Sequence, residues 1–272
     1  MLDQKTINDI IDRAAASDLA RVNWSGRGRA PIGYIKGMAV TYGEVLRKLM
    51  AGDSAALAMV RVVDGQHDVF DHYEDKFRAA GLVTDGASDV DRLLALWVVL
   101  TGLGMRESSG GVDIGRDESA SNVTAETAEA GAWQQSWGSR RASLEIEKLF
   151  RTYQHGAIDG IFSEGVKLRS GALVDFGDGP GAGFQAMLKG SPCMAAQCAA
   201  IGLRTLYIEW GPIIRREAEL RPEAIALFKQ VQAIVGAYAP VVAQKPTTSW
   251  LSVLVGAVMA MFRGAPTKPP AV

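Results

Sequence analysis

The chain has 272 residues, 48% of them hydrophobic and 22% charged, which allows a sizeable core and does not indicate disorder. Its 29 basic and 30 acidic side chains give a net charge of −1, so there is no overall basic excess of the kind that accompanies nucleic-acid binding. The two cysteines, Cys193 and Cys198, are too few for a disulfide framework or a four-ligand zinc site. We interpret them as small apolar residues of an Ala-rich helix.

Apolar residues recur at helical spacing along most of the chain. They predict helices over residues 3–21, 32–51, 66–81, 89–107, 140–154 and 191–209, and a last amphipathic helix that ends at about residue 237. The segment NWSGRGRAPIGY, which follows the first of these, is punctuated by Gly and Pro and is predicted to be a loop. There is no long alternating strand pattern and no internal repeat, so the predicted fold class is mainly α.

The C-terminal part of the sequence differs from the rest. Residues 1–240 are predicted to form a single helical domain with an N-terminal helical extension, and residues 241–272 an apolar helix with a Pro-rich tail. The apolar stretch 249–262, SWLSVLVGAVMAMF, is shorter than the roughly 18 residues of a confident transmembrane helix. We interpret it as a helix that contacts a partner or a membrane surface.

One acidic residue stands at an unusual place, in the stretch GLGMRESSGG. The run from Leu93 to Met105 is apolar nearly all round and predicts a central buried helix with Asp89 as its N-cap. Glu107 ends this run, directly before Ser-Ser-Gly-Gly. A carboxyl group at the end of a buried helix should have a raised pKa, as a general acid that protonates a glycosidic oxygen requires.

The polar stretch after Glu107 supplies further groups for such chemistry. Its carboxylates are those of Asp113, Asp117, Glu118, Glu126 and Glu129. One of them can position water or stabilise an oxocarbenium-like transition state. The indole faces of Trp133 and Trp137 suit the apolar faces of sugar rings, although tryptophans at such spacing also occur in protein cores.

Two short motifs in this region resemble those of the lysozyme-like superfamily. RESSGG, followed by AEAGAWQ, is similar to motifs of goose-type lysozymes and soluble lytic transglycosylases, over roughly residues 105–137. Glu107 matches the catalytic glutamate, and Gly131 and Gln134 match a second, cleft-lining signature. The resemblance implies a lysozyme-like helical domain with a short loop or β-hairpin region around 108–131 and extra helices at both ends.

The resemblance also implies an activity, the cleavage of the β-1,4 bond of peptidoglycan without a metal or organic cofactor. Glu107 would be the general acid, with Asp117, or else Asp113, as a second acid in a muramidase. Without a second acid, a lytic transglycosylase product is expected. The substrate-binding residues implied for the cleft are Ser108, Gly131, Trp133, Gln134 and Trp137.

Three alternatives remain open at the level of sequence. The first is a chitosanase or chitinase on a similar fold, since the acid-rich stretch 113–129 fits the acidic cleft of a chitosanase. The second is a non-catalytic wall-binding or structural module, and the third is an α-helical interaction protein that binds no glycan. The N-terminal residues lack the basic start and apolar core of a signal peptide. Because an enzyme that cleaves the wall has to reach it, we expect the protein to act in the periplasm or cell wall after release by phage lysis or by a secretion system.

Overall fold

The described part of the chain is mainly α-helical, as the periodicity predicts. The computed structural model describes residues 1–63, 67–116, 123–166 and 174–238. Within these ranges the helices are α1 (Gln4–Ala16), α2 (Ile32–Met50), α3 (Ser54–Val60), α4 (Val69–His72), α5 (Glu74–Ala79), α6 (Asp89–Ser108), α7 (Leu144–Thr152), α8 (Ala157–Ile161), α9 (Gly179–Gly190), α10 (Pro192–Leu203), α11 (Gly211–Ile214) and α12 (Pro222–Tyr238).

The central helix is α6, in the place that the apolar run predicts. Every residue from Leu93 to Met105 is buried, and the helix packs against α2, α3, α10, α11 and α12. Its N-cap is Ser88 rather than the expected Asp89, because the Ser88 hydroxyl accepts the backbone N–H of Asp91. A helix that is apolar on all sides is stable only when neighbours cover it all round.

The C-terminal end of α6 is fixed by two residues with left-handed backbone. Ser109 has φ 57° and Gly110 has φ 76°. The Ser109 N–H donates to Met105 O at 3.0 Å and the Gly110 N–H donates to Gly104 O at 3.2 Å, which closes the last turn. Glu107 therefore lies in the final turn, where the helix leaves the core.

Two glycines of α6 allow neighbouring segments to approach it closely. A methyl group on Gly102 would lie 2.3 Å from the Glu219 carbonyl oxygen, and one on Gly104 would lie 2.3 Å from the Tyr34 hydroxyl. The chain that follows α11 thus runs against the backbone of α6. This contact brings Arg215 and Glu217 to the end of α6 that carries Glu107.

The short sheet lies elsewhere than predicted. Strands β1 (Asn23–Trp24) and β2 (Gly28–Arg29) pair antiparallel within the segment predicted to be a loop. In the predicted hairpin region, the described residues 108–116 and 123–131 hold no strand pair, and Ala130 only forms an isolated bridge with Gln135. Strands of two residues are too short for an alternating pattern to reveal them.

The residues from Met1 to Tyr238 form one packed unit. The predicted N-terminal helical extension is α1, which packs against α2 and α12. Both the C-terminal segment 241–272 and its apolar stretch 249–262 lie outside the described residues. None of the helices in the described ranges combines the length and the apolar character needed to cross a bilayer.

Candidate active site

Glu107 is half-buried in the last turn of α6, and its surroundings perturb its ionisation. Burial first, and then the negative charge of Glu129, raise the pKa of its carboxyl group from 4.5 to about 7. The positive charges of Arg27, Arg215 and Arg106 act in the opposite direction. At neutral pH a large fraction of Glu107 is therefore protonated, as a general acid requires.

The three arginines reach Glu107 from separate parts of the chain. Arg27 is exposed in the turn between β1 and β2, and that turn is near α6 because a methyl group on Gly26 would lie 4.0 Å from an Arg106 guanidinium nitrogen. Arg106 and Arg215 both pair with Glu217, at 3.0 Å and 2.9 Å. Arg106 therefore does not neutralise Glu107 through an ion pair of its own.

In the part of the chain that the structure describes, Glu129 is the acidic residue whose charge raises the pKa of Glu107. It is exposed and precedes a tight turn in which Ala130 and Gln135 exchange backbone hydrogen bonds of 2.9 Å and 3.1 Å. Gly131 supports this turn with φ 76°, and its N–H donates to Ile114 O at 2.7 Å. The sequence includes Glu129 among several acids of this stretch but does not single it out.

The two carboxylates predicted as the second acid, those of Asp113 and Asp117, are not seen beside Glu107 in the described part of the chain. Asp113 is 5% exposed and lines a groove of about 630 Å³ together with Arg29, Ser108 and Gly165. Glu107 does not line that groove, and Asp113 is not among the charges that act on the Glu107 carboxyl group. The preferred candidate, Asp117, lies outside the described residues.

Neither carboxylate oxygen of Asp113 has a hydrogen-bond partner within the described ranges. Buried polar groups usually have a hydrogen-bond partner, so the unpartnered Asp113 carboxylate reduces the free energy of unfolding. Ser108, beside it, is 6% exposed and its hydroxyl donates to Gly104 O at 3.0 Å. The Ser108 hydroxyl proton is thus used inside α6, and a role for Ser108 in substrate binding stays a prediction.

The two tryptophans are core residues, which corrects their predicted role as sugar platforms. Trp133 is 0% exposed, and its indole N–H donates to Leu100 O of α6 at 3.0 Å. Trp137 is 7% exposed, with its ring centroid 5.0 Å from that of Phe150 and 5.2 Å from that of Phe184. Both ring faces are covered by protein, so no sugar can stack on them.

The two residues of the second lysozyme-like signature, Gly131 and Gln134, shape the backbone turn that follows Glu129. Gln134 has φ 44°, and its side-chain amide donates to Gly131 O at 3.0 Å, within the same turn. Trp133 anchors the turn on α6 and accepts the indole N–H of Trp210 at its carbonyl oxygen, at 2.8 Å. Gly131 and Gln134 therefore shape the turn that presents Glu129, and their role in substrate binding stays a prediction.

The fold and the site define a mainly helical protein with a half-buried acid at the end of its central helix. Comparisons of the chain with protein-family models, with curated proteins and with solved structures gave no match. The functional assignment therefore depends on the residues around Glu107.

Proposed function

We propose that the protein cleaves the β-1,4 glycan bond of peptidoglycan, as a muramidase or a lytic transglycosylase, with Glu107 as the general acid. The observation that carries the proposal is the place of the half-buried Glu107 carboxyl group, where a buried helix meets a polar loop and where burial raises its pKa to about 7. A carboxylic acid that stays protonated near neutral pH can protonate a leaving glycosidic oxygen. The resemblance of RESSGG and AEAGAWQ to lysozyme-like motifs supports the same reaction.

The reaction needs a proton donor for the leaving glycosidic oxygen and a nucleophile that forms the new bond to the anomeric carbon. The Glu107 carboxyl gives its proton to the glycosidic oxygen as the bond to the anomeric carbon breaks. In hydrolysis the Glu129 carboxylate stabilises the positive charge on the sugar or takes a proton from the attacking water. In a lytic transglycosylase the 6-hydroxyl of the muramic acid attacks instead, and its proton returns to Glu107.

The charge around Glu107 favours an anionic glycan over cationic chitosan. Three guanidinium groups act on the Glu107 carboxyl group, and of these Arg106 and Arg215 pair with Glu217, which leaves Arg27 to meet a charged substrate. Peptidoglycan carries the carboxylates of its peptide stems, whereas chitosan carries ammonium groups that Arg27 would repel. This observation ranks peptidoglycan above the chitosanase alternative.

Digestion of purified peptidoglycan, followed by mass spectrometry of the soluble products, tests the proposal. Muropeptides with reducing ends would establish a muramidase, and 1,6-anhydro products a lytic transglycosylase. Binding to the insoluble wall without any soluble product would contradict the proposal and favour a non-catalytic wall-binding module. Release of sugars from chitosan alone would contradict the choice of substrate.

Substitution of Arg27 should reduce the selectivity for anionic glycans. We expect Arg27→Gln to lower the kcat/KM for peptidoglycan about threefold to tenfold, the effect of a charged contact of about 1 kcal/mol in solvent. The cleavage of uncharged chitin oligosaccharides should change less. Arg21→Gln is the matched control, because Arg21 is exposed and pairs locally with Asp18. Equal effects of both variants on both substrates would contradict a role for Arg27 in recognition.

A further inference from the structure

A second cavity lies apart from the Glu107 site. Its volume is about 560 Å³, and its walls come from α1, α2, α7 and α10 and from the chain around residues 153–158. Most of the lining surface is apolar and includes Ile7, Leu149 and Ile158. Cavities of this size that are mostly apolar and carry a few polar groups are typical of small-molecule sites.

The polar groups at the floor of this cavity are uncharged and already bonded. The Thr41 hydroxyl donates to Cys193 Sγ at 3.2 Å, and the Tyr153 hydroxyl donates to both carboxylate oxygens of Asp159 at 3.2 Å. Burial raises the pKa values of the Cys193 thiol and the Tyr153 phenol far above their ordinary range, so both groups stay neutral. The floor therefore suits the apolar body of a ligand.

Two of the three acidic side chains that line this cavity are held by basic groups. Glu145 pairs with Lys148 at 3.4 Å, and Glu44 pairs with Arg47 at 2.9 Å and also accepts the Leu2 N–H at 2.7 Å. The third acid, Asp53, accepts the first backbone N–H groups of α3. These acids are therefore engaged with groups other than Lys48.

Lys48 is the lining cation without a carboxylate partner. Its side chain is half-buried, and its ammonium group donates to the neutral amide oxygen of Gln197 at 3.2 Å. In the described ranges no carboxylate oxygen lies within 4.0 Å of the Lys48 ammonium nitrogen, the limit for an ion pair. A partly desolvated ammonium group gains from an anionic partner.

We propose that this cavity binds a small amphiphile with one anionic head group, of the fatty-acid type. The carboxylate of the ligand pairs with Lys48, and its hydrocarbon chain fills the space among Ile7, Leu149 and Ile158. The inference is independent of the function proposed for Glu107, because no residue of that site lines the cavity.

Calorimetric titration with decanoate, and with 1-decanol as the uncharged analogue, tests the proposal. We expect saturable 1:1 binding of decanoate, about tenfold tighter than that of decanol, since a bond to a charged group contributes at this level. Removal of one methylene from the acid should weaken binding about fourfold. Lys48→Met should weaken decanoate binding about tenfold and leave decanol binding unchanged.

Lys148→Met is the matched control, because Lys148 lines the same cavity but is paired with Glu145. This variant should bind decanoate as the native protein does. Absence of saturable binding of decanoate would overturn the proposal. Equal binding of acid and alcohol, or equal losses in the two lysine variants, would overturn the pairing of Lys48 with the head group.

Discussion

Replacement of Glu107 by glutamine should reduce peptidoglycan cleavage by about 10²- to 10⁴-fold, the range attributed to general acid catalysis. Glutamine keeps the size and polarity of the side chain, but its amide has no acidic proton to transfer to the leaving oxygen. The loss should appear in kcat, with KM little changed, because the substituted amide still fits the same site. Steady-state release of soluble muropeptides measures both quantities.

The same substitution should stabilise the folded protein at alkaline pH. The pKa of Glu107 is raised from 4.5 to about 7 on folding, so its contribution to stability is fully present below about pH 4.5 and is lost as the pH rises to 7. Above pH 7 the half-buried charge costs about 2 kcal/mol after allowance for solvent screening. Glu107→Gln should therefore raise the free energy of unfolding in urea at pH 8 and leave it nearly unchanged at pH 4.

Glu126→Gln is the matched control for this prediction. Glu126 belongs to the same polar stretch and forms an ion pair with Arg140 at 3.1 Å, and neither residue is among the charges that act on Glu107. The variant should retain cleavage within a factor of about two and lose less than about 1 kcal/mol of stability. Native activity in Glu107→Gln would rule out Glu107 as the acid, and equal loss in both variants would indicate a structural effect.

Removal of Asp68 should destabilise the fold by about 3–5 kcal/mol, because it leaves a buried guanidinium group without its carboxylate. The side chains of Arg204 and Asp68 are 2% and 4% exposed, and they form two hydrogen bonds of 2.9 Å and 2.7 Å. Arg204 also donates to the carbonyl oxygens of Met59 and Arg61, at 2.5 Å and 2.6 Å. Its guanidinium carbon lies 4.0 Å from the ring centroid of Phe70.

Urea denaturation of Asp68→Ala at pH 7 measures this loss. The double variant Asp68→Ala/Arg204→Met should recover part of it, since the apolar side chain removes the unpaired charge. A loss below about 1 kcal/mol in the single variant would contradict the account, because that is the cost of an exposed ion pair. Failure of the double variant to recover any stability would show that the hydrogen bonds of Arg204 to backbone carbonyls and of Asp68 to the Phe70 N–H matter more than the unpaired charge.

The central helix and the position of Glu107 follow from local sequence. A run that is apolar on all sides has to be buried, and Ser-Ser-Gly-Gly after Glu107 supplies the left-handed residues that end α6. The raised pKa could be predicted for the same reason, since a carboxyl group at that place loses water.

The neighbours of Glu107 could not be predicted from local sequence. Arg27 comes from a hairpin with strands of two residues, and Arg215 lies more than a hundred residues further along the chain. Glu129 is an exposed acid among several, and its approach to Glu107 depends on a turn that Trp133 anchors on α6. The sequence shows that Trp133 suits either a core or a sugar platform, and only the packing decides between them.

The most direct test of the account is the pH dependence of peptidoglycan cleavage by the native protein. Soluble sugar release, measured between about pH 4 and 9 as kcat/KM, reports the ionisation of the free enzyme. Because Glu107 has to be protonated, we predict that cleavage falls as the pH rises through about 7, the pKa of its carboxyl group. A rate that does not change through pH 7, or no release of sugar at any pH, would contradict Glu107 as the general acid of a wall-cleaving enzyme.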